Sequence, residues 1–103
     1  MPQKDAIKRI NRYKKVLIFI INEVLPNCKI YLFGSRARQK HAEGADIDLA
    51  LDNGKPIDTG IMYKIQDKIE ESTIPIFVDL VDINNADETI KKEIEGDKVI
   101  WKK

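Results

Sequence analysis

Apolar residues recur along the chain at two spacings, one typical of helices and one typical of strands. Steps of three and four residues predict an amphipathic helix over about residues 5–25 and a second helix over about residues 59–71. Several N-cap candidates and early acids at residues 84–88 predict a last helix that reaches about Glu95. These three helices supply apolar faces that need a partner layer.

Short β-prone segments lie between the predicted helices. They predict strands over residues 29–33, 46–51 and 76–83, a helical turn at about residues 35–39 and a final short strand over residues 98–101. The loop between the first two strands is too short for a crossover helix, which favours an antiparallel pair in a mixed sheet. The order of elements predicts an α/β (α+β) domain with helices packed against that mixed sheet.

Composition limits the classes of protein that fit. The 103 residues suit one domain over 1–103, and 43% hydrophobic residues suffice for a core. A net charge of +1 gives no overall attraction to nucleic acid or to anionic membranes. A lone cysteine, Cys28, excludes an internal disulfide, and the longest apolar run, Val16 to Ile21, is too short to span a bilayer. With no signal peptide visible, we expect a cytoplasmic protein.

Three pieces of sequence carry candidate chemistry. Gly34 and Ser35 end the first strand, Asp46 and Asp48 begin the second, and Asp79 lies in the third. Two carboxylates one residue apart on a strand project from the same face, with Cα atoms roughly 6.5 Å apart. Mg²⁺ prefers such oxygen ligands together with phosphate oxygens, so this pair predicts a site for Mg²⁺ and a phosphorylated ligand.

The surrounding residues fit the same chemistry. A carboxylate such as Asp79 in a largely apolar strand needs a metal, a partner or solvent, and it is the natural candidate for a second metal ion. Glycine at position 34 permits close approach of a phosphate, to which backbone amides and the Ser35 hydroxyl can donate. Arg36 and Arg38 are placed to pair with triphosphate oxygens.

Each piece also has a structural interpretation. The alternation around Asp46 and Asp48 is typical of any strand with a solvated face. Ser35 is a common helix cap, and Asp79 could end an exposed edge. The joint occurrence of all three pieces in one order favours a functional site over these separate explanations.

The pieces together resemble a known family. Tyr31 to Arg38, then Asp46 to Leu49, and later Val78 to Val81 look like the corresponding motifs of the minimal nucleotidyltransferases in the polymerase-β-like superfamily. The resemblance implies the mixed-sheet fold of that superfamily, with Asp46, Asp48 and Asp79 as catalytic, metal-binding carboxylates for two Mg²⁺ ions and a nucleoside triphosphate. The family often has glycine and serine where this chain has Gln39 and Ala45.

The resemblance also implies a partner and an activity. Many such domains are encoded beside a helical HEPN protein and act as antitoxins, some by adenylylating a tyrosine of that partner. We therefore expect transfer of a nucleoside monophosphate, AMP from ATP in the leading hypothesis, to a hydroxyl of a HEPN toxin. A chain of 103 residues leaves nothing for a second wall around base and acceptor, so the acceptor is expected to supply it.

Two other classes of function fit less well. The chain could act as a binding module that neutralises a HEPN partner by masking it, with weak or absent catalysis, although retention of all three acids argues against a degenerate site. An RNA-binding domain is the third class. It would use the basic side of the first helix, formed by Lys4, Lys8, Arg12 and Lys15, but the balanced net charge disfavours it.

Overall fold

The computed structural model describes the backbone of residues 2–40 and 44–103 and the side chains from Ile7 onwards. Along this part of the chain, helices and strands alternate in the predicted order. The elements are α1 (Pro2–Val24), β1 (Lys29–Phe33), α2 (Gly34–Ala37), β2 (Ile47–Asp52), α3 (Thr59–Glu70), β3 (Val78–Asp82), a 3-10 turn (Ile83–Asn85), α4 (Glu88–Asp97) and β4 (Val99–Lys102).

The strands of the described residues form a four-stranded mixed sheet in the order β3-β2-β1-β4. β1 pairs antiparallel with both β2 and β4, whereas β2 and β3 run parallel. The short connection between β1 and β2 leaves no room for a crossover, while α3 provides one between β2 and β3. The predicted mixed α/β fold is therefore confirmed.

Helices cover both faces of this sheet. On one face α1 and α3 pack over alternate strand residues, and Ile47, Leu49 and Leu51 of β2 are fully buried there. On the other face Ile94 of α4 packs against Phe33 and Ala50. Burying one such leucine or isoleucine side chain stabilises the fold by about 1.5–3 kcal/mol. Because strand residues alternate, the polar residues of β2 lie on the α4 face.

Several boundaries differ from those predicted. β3 runs from Val78 to Asp82 and is shorter than predicted at both ends. At its C-terminal end the Asp82 carboxylate accepts a hydrogen bond from the backbone amide of Asn84 (3.1 Å), which caps the 3-10 turn, and a second from the amide of Ile57 (2.7 Å). α4 passes through Gly96 to Asp97. α1 begins earlier than predicted, at Pro2, and proline is well suited to a first helical turn.

The structure also bears on the lone cysteine and on membrane spanning. Cys28 is fully buried in the core, where burial raises the pKa of its thiol to about 11, so it is a packing residue. None of the helices among the described residues has both the length and the hydropathy needed to cross a bilayer.

Candidate active site

Asp48 and Asp79 are direct neighbours on the parallel ladder between β2 and β3. Their Cα atoms are register partners, and paired residues of adjacent strands project from the same face. Asp48 is half-buried and Asp79 is exposed. The fold therefore brings two of the three predicted acids together on the α4 face of the sheet.

Asp46, unlike Asp48 and Asp79, is not part of the β2–β3 ladder. It precedes the first residue of β2 and is exposed, so the ladder does not fix its side chain against the other two acids. Within residues 2–40 and 44–103, no three acidic, histidine or cysteine side chains are gathered closely enough to hold a metal ion by themselves. The structure thus shows an adjacent pair, Asp48 and Asp79, with Asp46 beside it rather than a closed set of three ligands.

The electrostatic environment of Asp48 is strongly acidic. Burial raises the pKa of the Asp48 carboxyl, and the negative charges of Asp79, Asp46 and Glu93 raise it further, whereas the positive charge of Arg38 lowers it. Glu93 belongs to α4, so acids from both the sheet and this helix surround the same point. Such a concentration of negative charge favours a bound cation.

Gly34 begins α2 and touches the Asp48 carboxylate. Its φ of +77° lies in the left-handed region, where side chains are disfavoured. A Cβ atom there would overlap Asp48 Oδ2 and lie 3.2 Å from Asp48 Cγ. Glycine is therefore needed at this position both for its backbone conformation and for the close approach of the acid.

Ser35 follows in this short helix and is half-buried. The N-cap residue of α2 is Phe33, and no side chain caps the helix, so the interpretation of Ser35 as a helix cap is wrong. The structure places the serine one residue from the Gly34 contact with Asp48. Its use as a donor to phosphate stays a prediction.

The two arginines of the motif point to different neighbours. Arg36 Nε donates a hydrogen bond to the carbonyl oxygen of Ala45 (2.9 Å), and burial lowers the pKa of its guanidinium while Tyr13 and Asp46 raise it. Arg36 thus anchors the residue before Asp46. It also lines a cavity of about 790 Å³ between α1 and β4, beside Trp101.

Arg38 turns instead toward α4. Its Nη1 donates to Asp97 Oδ2 and lies 4.0 Å from Glu93 Oε1. Because the charge of Arg38 also reaches Asp48, this is the arginine of the pair that faces the acidic side of the sheet. Each contact uses one guanidinium nitrogen, so both arginines keep further N–H donors, and their joint binding of phosphate stays a prediction.

Gln39 adopts a left-handed backbone with φ of +58°. The family pattern often has glycine here, and the chain keeps the conformation that glycine favours although its residue is glutamine. A non-glycine residue in this region costs roughly 1–2 kcal/mol. Residues 41–43, including His41, lie outside the described residues.

Sequence reasoning missed Glu93 and Asp97. Both lie on α4, far along the chain from Arg38, and each looks like an ordinary acid on a solvated helix. The position of Asp97 carried a weak signal, because an acid in the last turn of a helix opposes the helix dipole.

The protein-family model described as "Polymerase beta, Nucleotidyltransferase" matches residues 7–103. The chain belongs to this nucleotidyltransferase family. It is 29% identical over 75 residues to "Probable protein adenylyltransferase MntA" from Haemophilus influenzae, a match that covers 73% of the chain and 66% of the relative. The chain therefore spans about two thirds of the length of this curated relative.

Solved structures of toxin-antitoxin complexes contain a similar fold. A toxin-antitoxin crystal structure with AMP-PNP has a TM-score of 0.74 at 24% identity, over 85% of this chain and 71% of the other. A complex of tri-AMPylated Shewanella oneidensis HEPN toxin with MNT antitoxin has a TM-score of 0.68 at 24% identity, over 85% of this chain and 67% of the other. At 24% identity this likeness shows the fold alone.

Proposed function

We propose that the chain is a Mg²⁺-dependent nucleotidyltransferase that transfers AMP from ATP to an acceptor hydroxyl, a tyrosine of a HEPN toxin, and thereby acts as an antitoxin in the cytoplasm. The observation that carries this proposal is the register pairing of Asp48 with Asp79, beside the close contact between Gly34 and Asp48. Family membership supports the general reaction, and the site chemistry supports the roles below.

The residues present fit a divalent metal. Asp48 and Asp79 are hard oxygen donors on one face, and their mutual repulsion contributes to the raised pKa of Asp48. Asp46 is near enough to add to this effect and exposed enough to turn toward the pair. When bound, Mg²⁺ would neutralise charge on the triphosphate and on the phosphorus under attack. Asp46, Asp48 and Asp79 are the residues that would hold it.

The chain's own groups then orient the substrates. In the proposed reaction an acceptor oxygen attacks the α-phosphorus, the new O–P bond forms as the bond to the β-phosphate oxygen breaks, and pyrophosphate leaves. Asp79, the exposed member of the pair, accepts the proton of the attacking hydroxyl. Gly34 allows the phosphates to approach the backbone, while Ser35 and Arg38 donate to their oxygens, and Arg36 holds the segment before Asp46.

The partner is proposed from the relatives. The Haemophilus influenzae relative is named "Probable protein adenylyltransferase MntA". One similar solved structure is a toxin-antitoxin with AMP-PNP, and another contains a tri-AMPylated HEPN toxin with its MNT antitoxin. The acids lie on the face of the sheet that carries α4, and Asp79 on the edge strand β3 is exposed to an approaching surface. A docked protein would supply the wall that excludes water from the reacting groups.

A labelling assay tests the proposal. The chain is purified with the HEPN protein encoded beside it and incubated with Mg²⁺ and α-labelled ATP, and labelled tyrosine is sought by mass spectrometry. Asp48→Asn and Asp79→Asn should each abolish labelling, whereas Asp67→Asn, which changes an exposed acid on α3, should leave it intact.

The same assay separates catalysis from masking. An antitoxin that acts by binding alone would form the complex and protect cells equally well as wild type or as Asp48→Asn, with no label on the toxin. Wild-type protein that transfers nothing in the presence of its partner, ATP and Mg²⁺ would refute the proposed reaction.

A further inference from the structure

Asp97 of α4 holds Arg38 at the edge of the acid site. The Asp97 side chain is 15% exposed, and its Oδ2 accepts a hydrogen bond from Arg38 Nη1. A carboxylate that is largely removed from water needs a paired donor, and a guanidinium supplies one with fixed geometry. Arg38 keeps further donor capacity, because a guanidinium carries five N–H groups and this contact uses one nitrogen.

Helix stability does not explain an acid at this position. Asp97 is the last residue of α4, and the last turn of α4 has no basic residue. A negative charge there is unfavourable next to the negative end of the helix dipole. The interaction with Arg38 offsets that cost, which indicates that the acid is placed for the arginine and not for the helix.

Arg38 is tied to the acid site through its backbone as well. Its amide donates to the carbonyl oxygen of Gly34 (3.1 Å), and Gly34 is the residue that touches the Asp48 carboxylate. The backbone of Arg38 is therefore held by Gly34, and its side chain is held by Asp97.

We infer that Asp97 is a positioning residue, which aims the Arg38 guanidinium at the phosphates of the nucleotide. This inference rests on the proposed nucleotidyl transfer. Glu93, at 4.0 Å from Arg38 Nη1, flanks the pair on the same helix. Asp97 itself touches neither substrate nor metal in this role and acts through Arg38.

Asp97→Asn tests this role, because asparagine keeps the shape of the side chain and removes its charge. We expect the KM for ATP in the labelling assay to rise about tenfold, the effect of weakening one charged hydrogen bond, with kcat changed less than twofold. Binding of a fluorescent ATP analogue with Mg²⁺, measured without acceptor, should weaken by a similar factor. Asp97→Glu, which retains the charge, should recover part of the affinity.

A double-mutant cycle distinguishes positioning from mere support of the fold. In an Arg38→Ala background, Asp97→Asn should cause no further loss of ATP affinity, because the residue through which Asp97 acts is gone. Glu95→Gln is the matched control. It removes an ion pair between Glu95 of α4 and Lys98, the residue after the helix, and should change neither the KM for ATP nor ATP binding.

Three results would overturn the inference. Equal losses caused by Asp97→Asn with and without Arg38 would assign Asp97 to general support of the fold, which thermal unfolding of the same variants would register. Tighter ATP binding by Asp97→Asn would show that Asp97 competes with phosphate for Arg38. In the third result, the wild-type protein binds the nucleotide and labels its partner while Asp97→Asn changes the KM for ATP no more than Glu95→Gln does. That result would reject the inference and leave the proposed function intact.

Discussion

Gly34 and Asp48 are in contact at a point where no side chain fits between the backbone and the carboxylate. The contact joins the end of β1 to the second residue of β2 across the antiparallel ladder, in which Phe33 and Asp48 are register partners. The position of the acid therefore depends on the absence of a Cβ atom one residue beyond its strand partner. This dependence can be tested separately from the left-handed backbone of Gly34.

Gly34→Ala should impair both stability and catalysis. The positive φ costs roughly 1–2 kcal/mol for alanine, and the new methyl group must displace the Asp48 carboxylate. A catalytic group shifted by about 1 Å can cost about 100-fold in rate, which is the loss expected in the labelling assay. Gly54→Ala is the control, since Gly54 has a φ of +79° and no atoms near its Cβ position. Equal transfer by the two variants would contradict this prediction.

The stability of the metal-free protein should depend on the charge of Asp48. Burial and then the charge of Asp79 raise the pKa of this carboxyl above its ordinary value of 3.8, so the folded state binds the proton more tightly than the unfolded state. The free energy of unfolding should consequently fall as pH rises from that ordinary value through the raised pKa. The Asp48→Asn variant should lack this fall and should be more stable than wild type at neutral pH. Denaturant titration in the presence of EDTA measures both free energies of unfolding.

Asp52, on the same strand, should have the opposite effect on the pH dependence of the free energy of unfolding. A hydrogen bond from Asn84, then one from the amide of Gly54, lowers the pKa of the Asp52 carboxyl. Its contribution to stability should be present above its ordinary pKa and lost as pH falls through the lowered value. Asp52→Asn should therefore destabilise the protein at neutral pH. If Asp48→Asn destabilised the metal-free protein in the same way, the assignment of a raised pKa to Asp48 would be wrong.

Gln39→Gly should stabilise the fold. Glycine adopts the left-handed backbone without steric cost, which should raise the free energy of unfolding by roughly 1–2 kcal/mol. The greater conformational entropy of glycine in the unfolded chain should lower it by about 0.5–1 kcal/mol. The expected net gain of about 0.5–1 kcal/mol is measurable by chemical denaturation. Gln39→Ala, which removes the side chain without relieving φ, should not produce it. A similar gain in both variants would point to the side chain as the source.

Arg36→Ala and Arg38→Ala should have different kinetic consequences. Loss of the Arg36 bond to Ala45 frees the segment before Asp46, so the Mg²⁺ concentration for half-maximal transfer should rise about 10-fold to 100-fold, as when a support of a metal ligand is lost. Arg38→Ala should act mainly on the KM for ATP. Titrations of transfer against Mg²⁺ and against ATP distinguish the two, and identical profiles would show that both arginines have the same role.

Local pattern predicted most of the fold and part of the site. The alternation of Ile47, Leu49 and Leu51 with polar neighbours determined which face of β2 is buried, and the short β1–β2 connection determined the antiparallel pairing. Those two facts place Asp48 beside a parallel third strand once α3 acts as the crossover. The register that sets Asp48 against Asp79 is seen only in the assembled sheet.

The remaining features depend on contacts that no local pattern encodes. The interaction between Arg38 and Asp97 joins the residue after α2 to the last residue of α4, and its partners could be identified only after α4 was placed on the sheet. The left-handed conformation of Gln39 was not predicted because glutamine has no preference for it. Likewise, the pairing of β4 with β1 rather than with β3 is a property of the assembled sheet.

The pairing of β1 with β4 has a consequence for synthesis on the ribosome. Ile30 pairs with Lys102, so one side of β1 stays without its partner strand until residues 99–102 have been translated. An unpaired strand edge readily captures other chains, and nascent polypeptides expose it during elongation. Truncation within β4 should therefore reduce the soluble yield through aggregation. The reduction should exceed the loss of stability expected from the missing packing contacts of residues 99–102.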